Sequence, residues 1–156
     1  MEIRELTKDD LFDCAILYKE VFSDEPWNEQ WTESRALERL NYLFSLPGFV
    51  GLIAKSEIVL AMALGNIEPF HSGPMFSLRE LCVKKNFQGK CIGRNLLSAL
   101  ELRLLAAHVT LIHANTDLNT SAAGFYKKLG FIQSRSMGSF TKKYVNNNVS
   151  TLQRTD

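Results

Sequence analysis

The run Leu81-Cys82-Val83-Lys84-Lys85-Asn86-Phe87-Gln88-Gly89-Lys90-Cys91-Ile92-Gly93-Arg94 constrains this chain more than any other segment. An apolar strand enters a turn holding glycine and lysine, and the turn runs directly into a long amphipathic helix. The first N–H groups of a helix have no partner inside it, and they stand at the positive end of its dipole. A strand, turn and helix joined in this way bind phosphate. The segment therefore predicts a sheet with a helix packed on it, and a phosphorylated cofactor held at residues 88–94.

At 156 residues the chain fits one domain, large enough to bury most of its unfolded surface without metals or disulfides. The net charge is +1, so charge alone gives no pull toward duplex nucleic acid. Basic residues cluster locally instead, at Lys84, Lys85, Lys90 and Arg94. The three cysteines, Cys14, Cys82 and Cys91, are odd in number and lack Cys-x-x-Cys spacing. That argues against a disulfide framework and against a structural zinc site, so no metal is expected. The N-terminus has no apolar secretion core and no apolar run is long enough to span a bilayer. A reducing, cytoplasmic setting is the expectation.

Glu2–Leu6 reads as a strand, and Thr7-Lys8-Asp9-Asp10 supplies the cap of a helix over residues 8–22 with Leu11, Cys14, Ala15, Tyr18, Val21 and Phe22 at helical spacing. Pro26 ends that region, and Thr32 caps a second helix with Ala36, Leu37, Leu40, Leu43 and Phe44 on its apolar face. Phe49–Lys55 and Ile58–Leu64 form a hairpin, residues 65–74 form a loop, and Met75–Val83 is the next strand. The helix beginning near Ile92 carries Leu96, Leu97, Leu100, Leu104 and Leu105 on one side. Val109–Ala114 reads as a strand covered on both faces. A short helix opens at Asn119-Thr120-Ser121 and ends at Gly130, a left-handed C-cap. Phe131–Arg135 and Phe140–Val145 pair as a last hairpin, and 146–156 is a polar tail. This order predicts an α/β chain with helices packed on a mixed sheet, its domain running over residues 1–145.

Two motifs within this order resemble one family. Gln88-x-x-Cys91-x-Gly93 is similar to the acetyl-CoA-binding motif of the GNAT N-acetyltransferase superfamily, Gln/Arg-x-x-Gly-x-Gly/Ala. Asn119, with Ala122, Phe125, Tyr126, Gly130 and Phe131, resembles the family's Asn-x-x-Ala-x-x-Phe-Tyr-x-x-x-Gly-Phe segment. The pair, about thirty residues apart with a strand between them, is far more specific than either motif alone. The resemblance implies the GNAT fold, a mixed sheet of about seven strands flanked by about four helices. It also implies an acetyl-CoA-dependent enzyme that acetylates a primary amine of a small molecule or peptide by direct attack in a ternary complex. An aminoglycoside-like compound, a polyamine and a metabolite stand open as acceptors.

The resemblance places Leu81, Cys82 and Val83 along the pantetheine arm. It places Gln88, Gly89, Lys90, Cys91, Ile92, Gly93 and Arg94 around the phosphates, with the backbone amides as the main ligands. Asn119 is implied as a further contact to the arm, compatible with an N-cap role. Cys91 replaces the first motif glycine, and it is expected in the first helical turn, where a side chain costs little. Tyr126 is the implied acid beside the cofactor sulfur. Glu80 is the candidate base, because a carboxylate on a mostly buried strand has a raised pKa; an ion pair with Arg79 or a nearby lysine is the plain alternative. Phe22, Glu25, Trp27 and Trp31, between the first two helices, would shape the acceptor site, Glu25 holding a cationic amine and Trp27 stacking on it. His71 in the loop could face the acceptor, whereas His113 fits a core histidine. Cys82 has no motif-placed histidine to activate it as a covalent carrier. A homodimer through the C-terminal strands is compatible with this reading. The rival from another class is a CoA-binding module of the same fold without turnover.

Overall fold

A computed structural model describes residues 1–144. In chain order the elements are β1 (Glu2–Glu5), α1 (Leu11–Ser23), α2 (Glu33–Ser45), β2 (Phe49–Lys55), β3 (Val59–Glu68), β4 (Met75–Val83), α3 (Ile92–Ala106), β5 (Leu111–Ala114) and α4 (Ser121–Lys128). Short 3-10 turns at Lys8–Asp10 and Lys85–Phe87 precede α1 and follow β4. The strands lie in one sheet in the order β1-β2-β3-β4-β5, antiparallel except for the parallel pair β4–β5.

Side chains alternate across a strand, and the two faces of this sheet fill two cores. Ile53, Met62, Leu64 and Cys82 face α1 and α2, where Leu11, Cys14, Tyr18, Leu40 and Leu43 are buried against them. Leu52, Ala54, Ala61, Ala63, Phe76 and Leu78 face α3, which buries Leu96, Leu97, Leu100 and Leu104. Leu105, expected on that stripe, is exposed, because it sits past Leu104 in the last turn of the helix. The entry to α1 is fixed by Asp10, whose carboxylate accepts from the Thr7 N–H and hydroxyl and from two nitrogens of Arg4. These donors hold its carboxyl well below the usual carboxylate range, the Arg4 hydrogen bonds foremost.

One irregularity positions everything that follows. Leu64 pairs with Glu80 but Gly65 pairs with Leu78, so Arg79 is an extra residue bulged from β4. Because the side-chain period of a strand is two, a single extra residue exchanges the faces of the residues beyond it. Phe76 and Leu78 point to the α3 side; after the bulge Glu80 and Cys82 point to the α1–α2 side, and Leu81 and Val83 to the α3 side. The bulge presses the β4 backbone onto β3 at residue 65. A Cβ on Gly65 would stand 2.0 Å from the Ser77 carbonyl oxygen, so glycine is required there. This also corrects the expected loop at 65–74: Gly65 belongs to β3, which continues to Glu68, and the connection is confined to the residues after it.

Two further expectations change at the C-terminal side. Residues 131–144 form no strand, so the described sheet has five strands rather than seven. Ile132 and Phe140 are 95% and 96% exposed, so the apolar alternation that suggested a hairpin has no core beneath it here. Val145 and the tail at 146–156 lie outside the described residues. Among the described residues β5 is an edge strand; it starts at Leu111 rather than Val109, and Leu111 and His113 are exposed. His113 is therefore not a core histidine.

Candidate active site

β4 and β5 pair from Met75↔Leu111 to Leu78↔Ala114 and no further. Beyond Leu78 the bulge turns β4 aside, and Arg79–Val83 runs on beside β3 with no strand on its β5 side. The opening is the mouth of a cleft of about 1260 Å³, bounded by the end of β4, the start of α3, α4, and the α1–α2 connection.

At one end the main chain does the work. Gly89 has φ +73° and Cys91 φ +61°, both in the left-handed region, and α3 starts at the next residue. The expectation that Cys91 sits in the first helical turn is thus corrected: it is the residue before the helix, in a conformation that favours glycine. Among the described residues, no backbone N–H from Gly89 to Arg94 donates to another protein group, and Asn95 is the first to bond back, to the Cys91 carbonyl at 2.9 Å. Six consecutive open donors at the head of a fifteen-residue helix fit an anionic diphosphate. Gly93 lets that helix lie against the strand end, since its Cβ would stand 3.3 Å from a Val83 methyl. The Gln88 side-chain amide donates to the Val83 carbonyl at 2.9 Å and ties the turn to β4.

The other end is built from side chains. Glu80 is 7% exposed, and its Oε1 accepts from Arg39 Nε of α2 at 2.5 Å. Burial pushes the Glu80 carboxyl above its ordinary value, with Arg39 and the neighbouring Tyr18 hydroxyl pulling the other way. Burial would lower Arg39, but the Glu80 charge outweighs it and the guanidinium is held more firmly protonated. The expected partner Arg79 instead donates to Asn66 at 3.2 Å, because the bulge sends it away from Glu80. Around this pair stands an aromatic wall. Tyr18 meets Phe22 at 4.6 Å and Trp31 at 4.9 Å between ring centroids, and Phe22 meets Trp27 at 5.6 Å. Glu25 is exposed at the rim.

Tyr126 of α4 faces the same cleft, packed edge-on between Phe125 and Phe131. Burial, and then the charge on Glu80, push its phenol up to about 12. Leu81, Cys82, Val83, Gln88, Gly89, Cys91, Ile92, Gly93 and Arg94 all line the cleft with it. Cys82 is buried, and desolvation raises its thiol well above the ordinary value, so it is a poor nucleophile. Three candidates stand elsewhere. Lys90 lies over the Phe87 ring, 5.2 Å from its centroid, and is not part of the lining. Asn119 is exposed and outside the cleft; its N–H donates to Asp117, and Thr120 caps α4 by accepting from Ala122 at 3.3 Å. Asn115 and Thr116, directly after β5, line the cleft instead. His71 sits on the turn between β3 and β4, at the end of β4 remote from Val83, stacked 4.3 Å from Phe70. Sequence reasoning missed Arg39 and Tyr18, which were legible only as a helix surface cation and a helix core aromatic. No cluster of three or more His, Cys, Asp or Glu suited to a metal ion occurs among the described residues. Among those residues no helix is long and apolar enough to cross a membrane.

The family model for the acetyltransferase (GNAT) domain matches residues 47–133, more than half of the chain and the whole β4–α3–α4 side of the cleft. The chain belongs to the GNAT acetyltransferase family. Solved structures agree in fold. The aminoglycoside antibiotic 6'-N-acetyltransferase AAC(6')-IG from Acinetobacter haemolyticus, in its apo form, is 20% identical with a TM-score of 0.71, covering 93% of this chain and 100% of that one. AAC(6')-Iy, solved with the bisubstrate analogue CoA-S-monomethyl-acetylneamine, is 17% identical with a TM-score of 0.72, covering 92% and 98%. The integron cassette protein VCH_CASS6 from the mobile metagenome of V. cholerae is 19% identical with a TM-score of 0.76, covering 92% of each chain. At such identities the likeness is one of fold. No curated protein matches the chain significantly in sequence.

Proposed function

We propose that this protein transfers an acetyl group from acetyl-CoA to a primary amine of a small molecule or peptide, by direct attack with both substrates bound. The observation that carries the reading is the run of six open amides, Gly89–Arg94, at the head of α3 in the same cleft as Glu80 and Tyr126. The amides would hold the diphosphate, with Arg94 beside them, and the open edge Leu81–Val83 would receive the pantetheine arm. Acetyl-CoA, when bound there, supplies an acyl carbon open to a neutral amine.

Glu80 serves as the base. Its raised affinity for a proton brings it closer to the amine it must deprotonate, and Arg39 fixes the orientation of its carboxyl. Tyr126 serves the leaving sulfur. A phenol at about 12 lies well above an ordinary thiol, at about 8.5, so handing over its proton outright is uphill. The role that suits it is a held hydrogen bond to the developing thiolate, with the proton retained.

The reading is tested by following thiol release from acetyl-CoA with a panel of primary amines, for the native chain and Tyr126→Phe. Amine-dependent release, slowed in the variant, is expected. Tight acetyl-CoA binding with no release for any amine would make this a binding module without turnover.

A further inference from the structure

We propose that the acceptor is an α-amino acid with an aromatic or other large apolar side chain, its carboxylate taken by Arg39 and its α-amino group presented to Glu80. This rests on the transferase reading and narrows it. The first observation is the state of Arg39. Its Nε donates to Glu80, yet the side chain remains 39% exposed and lines the cleft. A guanidinium has five N–H donors in a planar fork, so donors remain for an incoming anion. Guanidinium donors left open beside an amine-binding carboxylate call for an acceptor that also carries a negative group.

The second observation is how the nearby carboxylates are spent. Glu20 pairs with Lys84, Asp24 with Lys85 at 2.5 Å, and Glu29 accepts from the Trp31 indole at 2.5 Å. Glu25 and Glu29 make no ion pair with another described residue, the indole on Glu29 being a neutral donor, which leaves two free carboxylates, fewer than the ammonium groups of a long polyamine would call for. The third is shape. Arg39 and Glu80 put a positive and a negative group side by side, and the complement of that arrangement is an ammonium and a carboxylate on the same carbon. The walls above them are Tyr18, Phe22, Trp27 and Trp31, a surface for an apolar side chain.

Charge balance runs the same way. The α-ammonium first gives one proton to Glu80; the neutral nitrogen then bonds the acetyl carbon as the C–S bond breaks, the electron pair leaves on sulfur, and the second nitrogen proton passes to that thiolate, giving the amide and the free thiol of CoA. Once Glu80 is neutral, Arg39 loses its counter-charge, and a carboxylate on the acceptor replaces it.

The test compares kcat/KM for phenylalanine against phenethylamine, and tryptophan against tryptamine, in the native chain, R39K and R39Q. Both members of each pair depend on Glu80 alike, so their ratio isolates the carboxylate contact. The native chain should prefer each amino acid by about 10- to 100-fold, the worth of one or two charge-assisted hydrogen bonds. R39Q should bring the ratio near one, and R39K should fall between, since lysine lacks the fork. A native ratio at or below one, or a ratio unchanged in R39Q, overturns the assignment. Acetylation of polyamines or phenethylamine but no amino acid overturns it while leaving the transferase standing. Binding of acetyl-CoA with no transfer to any amine overturns both.

Discussion

The two ends of the cleft are made in opposite ways. The Gly89–Arg94 end is contiguous in sequence and works through main-chain amides. The Arg39–Glu80 end joins residues 41 positions apart and works through side chains, brought together by a strand bulge and two helices. Main-chain donors are indifferent to the residue that carries them, which is why cysteine can occupy position 91 and the corner still forms. The side-chain end has no such tolerance, and the proposed reading puts the chemistry and the choice of acceptor there.

That contrast can be broken at either end. Glu80→Gln should give the largest effect, lowering turnover by about 100- to 10,000-fold in steady-state assays while leaving acetyl-CoA affinity within about two-fold. A proportional loss of cofactor affinity would mean that the two ends are not separable. Tyr126→Phe should lower turnover by about 100-fold, the scale of one lost donor to a developing negative charge, again with cofactor affinity nearly unchanged. Equal rates in the two proteins would remove Tyr126 from the chemistry.

The same glutamate leaves a mark on stability. Its folded pKa is raised by burial, so it favours the folded state fully below the ordinary carboxylate pKa, and this contribution is lost as pH rises through the folded value. The melting temperature of Glu80→Gln should therefore gain on the native chain as pH climbs from about 4 to 8. Parallel curves would mean that Glu80 titrates normally in the fold. At the backbone end, the smallest effect is expected from Cys91→Gly. Relief of a left-handed conformation, less the entropy cost of glycine, should stabilise by about 0.5–1 kcal/mol in chemical denaturation. Destabilisation would show that the Cys91 side chain makes a contact that outweighs its strain.

The uneven legibility of the fold has the same origin. The strand, turn and helix over 81–94 could be read directly, because local residue types set local backbone geometry. Glu80 was visible as a carboxylate in an apolar strand, but its partner was not. Arg79 is its neighbour in sequence, and only the bulge decides that Arg79 turns away while Arg39 arrives from α2. The bulge has one sequence trace, Gly65, which read as a loop signal because a close approach between strands and a turn both call for glycine. Leu111 and His113 looked covered because apolar runs say nothing about whether a neighbouring strand is present. Asn119 and Thr120 are both good caps, and the choice between them rests on the Asp117 turn.

The central claim is that open amides at the head of α3 hold a thioester carrier. Its most direct test is a titration of the isotope-labelled protein with acetyl-CoA, following backbone amide resonances. Saturable shifts are expected, largest at Gly89–Arg94 and extending along Leu81–Val83. Absence of saturable binding, or shifts centred away from that corner, would contradict it.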